Sequence, residues 1–246
     1  MASIPVTQSG LTRVVPAERP SRHMLEFWIA YALIALAIWA PPMEQGLLAA
    51  AALVWVIWST LCSFEGGPAM GFRLAGLWRS AWVIPVALGL SAAAIAIAAQ
   101  IGTLHAPVTV SQFFAHYGGY AIWSFLQEFL LLNFFLLRLL RRVPGKHAAS
   151  FAAASLFALV HLPNPILTPL TVVWGYASCL IFLRYRNLYV PAMAHAILGI
   201  TIAITVPGSI DHNMRVGLGY LTYHQHHRPS PPTAARSTTP QPPSHG

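Results

Sequence analysis

The stretch GYAIWSFLQEFLLLNFFLL, Gly119–Leu137, decides the class of this chain. Its single side chain charged at neutral pH is Glu128, and no face of a helix wound from it is hydrophilic. A helix that is apolar all round belongs in a large core or in a bilayer. At 1.5 Å rise per residue such a stretch is about 28 Å long, close to the thickness of the hydrocarbon core. Six further apolar runs lie outward from it: about Leu25–Ala40, Leu47–Phe64 and Ala81–Ile101 before, and Ala148–Leu162, Pro165–Leu183 and Tyr189–Val206 after.

The whole composition agrees. Of 246 residues, 56% are hydrophobic and 8% charged, against about 25% charged in a soluble domain. This excludes a disordered chain, a nucleic-acid module and an ordinary soluble enzyme. The predicted fold is all-α: a multi-pass transmembrane helical bundle of about seven spans, with six to eight allowed. Residues 1–23 read as a flexible polar tail, 24–207 as the membrane domain, and 208–246 as a polar, partly disordered tail rich in Pro, Ser and Thr from Pro229 onward. The run at Leu25–Ala40 reads as a first span rather than a cleaved signal peptide. Its polar lead is long, and Trp28 and Tyr31 suit an interfacial belt. The absence of an internal repeat weighs against a transporter built on inverted repeats.

The net charge is +8, from 14 Lys and Arg against 6 Asp and Glu. No basic stripe with interleaved aromatics accompanies it, so no nucleic-acid partner is expected. The cations sit between apolar runs instead. Arg13, Arg19 and Arg22 precede the first run. Arg73 and Arg79 follow the second, Arg138, Arg141, Arg142 and Lys146 the fourth, and Arg184 and Arg186 the sixth. The alternate loops lack Lys and Arg. This pattern predicts a cell-membrane protein with a cytoplasmic N-terminus. An eighth span near Met214–Tyr223 would carry Arg215, Arg228 and Arg236 back inside, but that stretch is short and polar, and the side of the C-terminus stays open. Cys62 and Cys179 lie within apolar runs and match no zinc or haem spacing.

Four ionisable residues fall in the runs: Glu26, Glu128, His161 and His195. Glu26 is at the edge of its run and can reach the interface. The other three are deep, and a deep ionisable group is a functional-site candidate by default. For any one alone, an interhelical hydrogen bond that glues the bundle is the plainer reading; three on three helices favour a site. Counted along their helices, Glu128 lies about 15 Å from Arg138 and His195 about 13 Å from Arg186, so two of the three share a level. Ser124, one turn before Glu128, can hydrogen-bond its carboxyl. Phe157, one turn before His161, can wall the site. Asn164, in His161-Leu162-Pro163-Asn164-Pro165, either orients the histidine or caps a turn, and capping is favoured. A deep carboxyl with histidine partners suits a base acting on water.

Three short patterns carry a family resemblance. Gln127-Glu128-Phe129-Leu130-Leu131-Leu132 is similar to a Glu-Glu-x-x-x-Arg helix. Phe157-Ala158-Leu159-Val160-His161 matches Phe-x-x-x-His in full. His195-Ala196-Ile197-Leu198-Gly199 matches His-x-x-x-Asn/Asp in its histidine. In this order, over about residues 70–206, the chain resembles the CPBP family, the CAAX proteases and bacteriocin-processing enzymes also called Abi. The resemblance implies an intramembrane endopeptidase, bathed in membrane lipids, that cleaves a membrane-associated or lipidated peptide. Glu128 would polarise a water, His161 would share its proton, and His195 would stabilise the oxyanion. In the family the first glutamate of the pair is thought to activate water; here that position is Gln127, which accepts no proton. The Arg position is Leu132 and the Asn/Asp position Gly199. Either Glu128 serves as base, after a rotation of about 100° around the helix, or hydrolysis is lost and the protein is a membrane scaffold or immunity-type binder. The family is often labelled metalloprotease. A zinc ion would fall to His161, His195 and Glu128, but His-Glu-x-x-His is absent and a metal-free glutamate mechanism is equally allowed. His224, His226 and His227 read as a solvated patch of the tail.

Overall fold

The seven apolar runs map one to one onto seven helices. These are α1 (Pro20–Trp39), α2 (Pro42–Cys62), α3 (Val83–Ile101), α4 (Val110–Leu139), α5 (Lys146–Leu159), α6 (Leu167–Tyr185) and α7 (Tyr189–Thr205). Two short helices follow, α8 (Gly208–Asp211) and α9 (Gly217–Leu221). The structure is a computed structural model describing residues 20–223 apart from Phe64, Glu65, Ala69, Arg73 and Val108. Most of the two predicted tails, with His224, His226 and His227, lies outside the described residues, as does Arg73. The helix α1 takes in the last four residues of the predicted N-terminal tail, and the start of the predicted C-terminal tail carries α8 and α9.

Proline and short polar residues set the breaks. Pro42 opens α2, where a missing N–H costs nothing. Thr109 caps α4 by accepting from the Gln112 amide at 3.2 Å. Asn187 does the same for α7, its Oδ1 accepting from the Val190 amide at 3.0 Å. After α5 the chain runs through Leu162-Pro163-Asn164-Pro165 without helix, and Asn164 caps α6: its Oδ1 accepts from the amides of Ile166 at 3.0 Å and Leu167 at 2.9 Å. The capping reading of Asn164 is therefore the one the geometry carries.

Among the described residues, five segments are long and apolar enough to cross a membrane: Arg22–Trp39, Pro42–Cys62, Leu77–Ile101, Val110–Leu139 and Leu167–Tyr185. The chain is a multi-pass membrane protein. The helix α7, at 17 residues, is shorter. The helix α5 has 14 residues and so rises only about 21 Å.

Packing divides the bundle. Small residues let α5 and α6 approach closely: Ala149, Ala153 and Ala154 are buried, and a Cβ on Gly175 would lie 3.3 Å from that of Ala154. The helices α3 and α4 both pack on α7. Val83, Ala87, Val190 and Ala194 make the first of these contacts, and Thr201 Oγ1 donates to Ser91 Oγ across it at 2.7 Å. The hairpin α1–α2 docks on α4 through Phe27, Ala30, Val56 and Phe135. Within α4, residues Leu130–Leu136 are π-helical.

Glu26, expected to reach toward the membrane interface, is instead turned into the protein and is 4% exposed. Its Oε2 accepts from Ser59 Oγ at 2.7 Å and lies 3.6 Å from Arg138 Nη2, while Arg22 Nε donates to Oε1 at 3.0 Å. Arg138 in turn donates to Ser59 Oγ at 2.8 Å and to the Phe134 carbonyl at 3.1 Å. A partner on a neighbouring helix outweighs the pull of the interface, and sequence spacing gives no sign of it.

Candidate functional site

Glu128 lies at the last α-helical turn of α4 before the π segment, and it is 0% exposed. A carboxylate in hydrocarbon is costly unless both oxygens are bonded, and here both are. Oε1 accepts from Trp174 Nε1 at 2.6 Å and from His195 Nδ1–H at 2.9 Å. Oε2 accepts from Ser178 Oγ. Trp174 and Ser178 are one turn apart on α6, and His195 projects from α7, so the carboxylate joins three helices. Ser124 is buried one turn before Glu128, but the carboxylate's bonds run to Trp174, Ser178 and His195 instead.

The two histidines face one cavity. It has a volume of about 1160 Å³, and His161, His195, Gln127, Phe157, Trp174 and Tyr120 are among its lining residues. Most of the remaining wall is apolar and comes from α1, α2, α3 and α6. His161 sits just past the end of α5, its Nδ1–H donating to the Phe157 carbonyl at 2.7 Å. The Phe157 ring meets the His161 ring edge-on at 4.8 Å and that of His195 at 6.1 Å, so it walls the site as its spacing suggests. Each imidazole thus has Nδ1 engaged, which leaves Nε2 as the nitrogen free for chemistry in the cavity.

Glu128 is not among the residues that line the cavity, whereas Gln127, the next residue round the helix, is. The structure brings Glu128 and His195 into contact and places His161 with His195, but it puts the carboxylate behind the imidazole.

Zinc does not fit this donor set. Among the described residues no three His, Cys, Asp or Glu side chains gather as a metal site. Both oxygens of Glu128 are taken, and each histidine offers one nitrogen, short of the three protein ligands a catalytic zinc requires.

Tyr120, Trp174 and Ser178 are missing from the sequence reading. The last two could not have been found, because their only signal is contact with Glu128 across helices. Tyr120 left a trace in Gly199. A Cβ on Gly199 would fall 2.0 Å from the Tyr120 hydroxyl oxygen and 2.6 Å from two ring carbons. The phenol of α4 therefore fills the space that a side chain at position 199 would need.

Residues 110–201 match the family model described as type II CAAX prenyl endopeptidase Rce1-like. The matched stretch holds Gln127, Glu128, Phe157, His161, His195 and Gly199, so the family match and the three-pattern resemblance fall on the same helices. No curated protein and no solved structure matches the chain. The family points to a membrane-embedded peptidase that acts on membrane-associated substrates.

Proposed function

We propose that this protein is an intramembrane endopeptidase in which His195, held by Glu128, activates water. The observation that carries the reading is the 2.9 Å bond from His195 Nδ1–H to a carboxylate with no exposed surface. A buried carboxylate on Nδ1 fixes the tautomer, aims Nε2, and stabilises the imidazolium formed when Nε2 takes a proton. Glu128 is then a positioning residue. Water between the imidazoles loses a proton to His195 as its oxygen bonds to the peptide carbonyl carbon. The same proton passes to the leaving nitrogen as the C–N bond breaks. His161 offers a second Nε2 to hold the water. Gln127 presents an amide to the cavity that can orient substrate but cannot take a proton. The alternation of basic loops with loops that lack Lys and Arg supports a cytoplasmic N-terminus in the cell membrane, and the apolar cavity supports a membrane-associated or lipidated peptide as substrate.

A second reading is favoured by Gln127 itself, which stands where the family pattern has glutamate: a non-cleaving member that binds such peptides. One experiment separates the two. The purified protein in liposomes is given a fluorescence-quenched peptide bearing an S-farnesyl cysteine followed by three apolar residues. Cleavage by wild type that falls by about 10²–10⁴-fold in His195→Ala supports the peptidase. A wild type that binds but does not cut, with cutting gained in Gln127→Glu, establishes the binder.

A further inference from the structure

We propose that the Tyr120 hydroxyl is the hydrogen-bond donor to the carbonyl oxygen of the bound peptide; this rests on the hydrolytic reading above. The argument starts at Gly199. Position 199 is one helical turn beyond His195, on the same face of α7, and a side chain there would stand beside the imidazole. The chain has none, and the phenol of Tyr120 occupies that volume. Its hydroxyl therefore enters the site from α4, one turn from His195, and Tyr120 is among the lining residues of the cavity.

The other polar groups nearby are already used. Trp174 Nε1 and Ser178 Oγ donate to Glu128. Thr171 Oγ1 donates to backbone carbonyls of its own helix, and Thr201 Oγ1 bonds Ser91. Both imidazoles spend their Nδ1–H on Glu128 and on Phe157. A neutral imidazole acting as base has no proton to give at Nε2. Ser124 Oγ, one turn along α4, lies against the phenol and does not line the cavity. Of these groups, the Gln127 amide and the Tyr120 phenol are the donors that line it. The phenol is fixed, because its ring is wedged against the Gly199 backbone, and a donor held in place before reaction is what stabilises developing negative charge. In the reaction the carbonyl π electrons move onto oxygen as the water oxygen bonds to carbon. The phenol O–H remains intact throughout and only shortens its hydrogen bond.

The test uses the full-length protein in liposomes, the farnesylated peptide named above, and a phosphonate analogue of that peptide, whose tetrahedral anionic oxygens mimic the intermediate. In Tyr120→Phe, kcat is expected to fall by about 10²–10³-fold, as for the loss of an oxyanion donor, with KM little changed. Affinity for the phosphonate should fall more than tenfold (roughly the 1.4 kcal/mol that a factor of ten represents), with no change for the parent peptide. Wild-type cleavage and phosphonate binding in Tyr120→Phe would overturn the assignment and leave the ring a packing element. If wild type does not cleave, the hydrolytic reading fails by itself. The phosphonate comparison then decides Tyr120 alone: a selective loss upholds the donor, and equal binding by wild type and variant removes it.

Discussion

Glu128→Gln keeps the shape of the side chain and removes its charge. An amide in that place must point either its oxygen or its NH₂ at His195, and either way the imidazolium loses the anion behind it. Cleavage is expected to drop by about 10²–10⁴-fold, the range of a positioned base and its orienting acid. The melting temperature in detergent should fall too, because the NH₂ group would face donors on Trp174 or Ser178. Gly199 offers a second test. Gly199→Ala should destabilise the protein, since the added methyl meets the Tyr120 ring, while in a Tyr120→Ala background the same change should be tolerated. Thermal melts of the four proteins of this double-mutant cycle measure the coupling. At this scale three deep ionisable groups on three helices were legible, and the structure bonds Glu128 to His195 and sets both histidines on one cavity. The roles were not legible. Whether Glu128 or Gln127 faces the cavity differs by one step round a helix, and only the packing of α6 and α7 decides it.

The π-helical stretch explains how one element serves two purposes. Ten residues of regular α-helix would leave Glu128 and Arg138 about 80° apart. The wider turns of Leu130–Leu136 add to that separation, so Glu128 meets α6 and α7 while Arg138 meets α1 and α2. Leu132, at the place of the arginine in the family pattern, falls inside this segment and is 0% exposed in the apolar core. No periodicity in Leu130–Leu136 announces the change of pitch, because every residue but Asn133 is apolar and any face will bury. The ion pair it delivers is buried, so breaking it should be expensive. Glu26→Gln or Arg138→Met alone is expected to cost about 3–5 kcal/mol, and the two together distinctly less. Reversible unfolding in mixed micelles is the measurement.

At the scale of the molecule, the seven runs foretold the bundle because helices in lipid must satisfy their own backbone. They did not foretell the cavity. Its walls come from side chains of most of the helices, and sequence spacing carries no record of which helices stand apart. Nor did they foretell that the histidines and Glu128 offer too few ligands for zinc. A chelator such as 1,10-phenanthroline is therefore expected to leave cleavage at its untreated rate, and inhibition reversed by added zinc would refute this.

The brevity of α5 has its own consequence. It stops well short of the hydrocarbon thickness, and irregular backbone at residues 160–166 continues from it. Such backbone survives at depth only if protein shields it from lipid. The shield is the segment after α7. The Asn164 amide donates to the carbonyls of Asp211 at 2.8 Å and Arg215 at 3.0 Å, and the Gly217 amide donates to the Leu162 carbonyl at 2.7 Å. Gly217, at a φ of 54°, also lies so close to Ile38 of α1 that a Cβ would sit 2.4 Å from its Cγ2. Residues 208–223 thus work as a stopper seated in the gap that a truncated helix leaves. A chain ending at Val206 should lose its monodisperse peak on size-exclusion chromatography, and one ending at Tyr223 should keep it. A stretch that looks from its composition like trailing, dispensable chain is what keeps the half of the protein that holds the two histidines sealed.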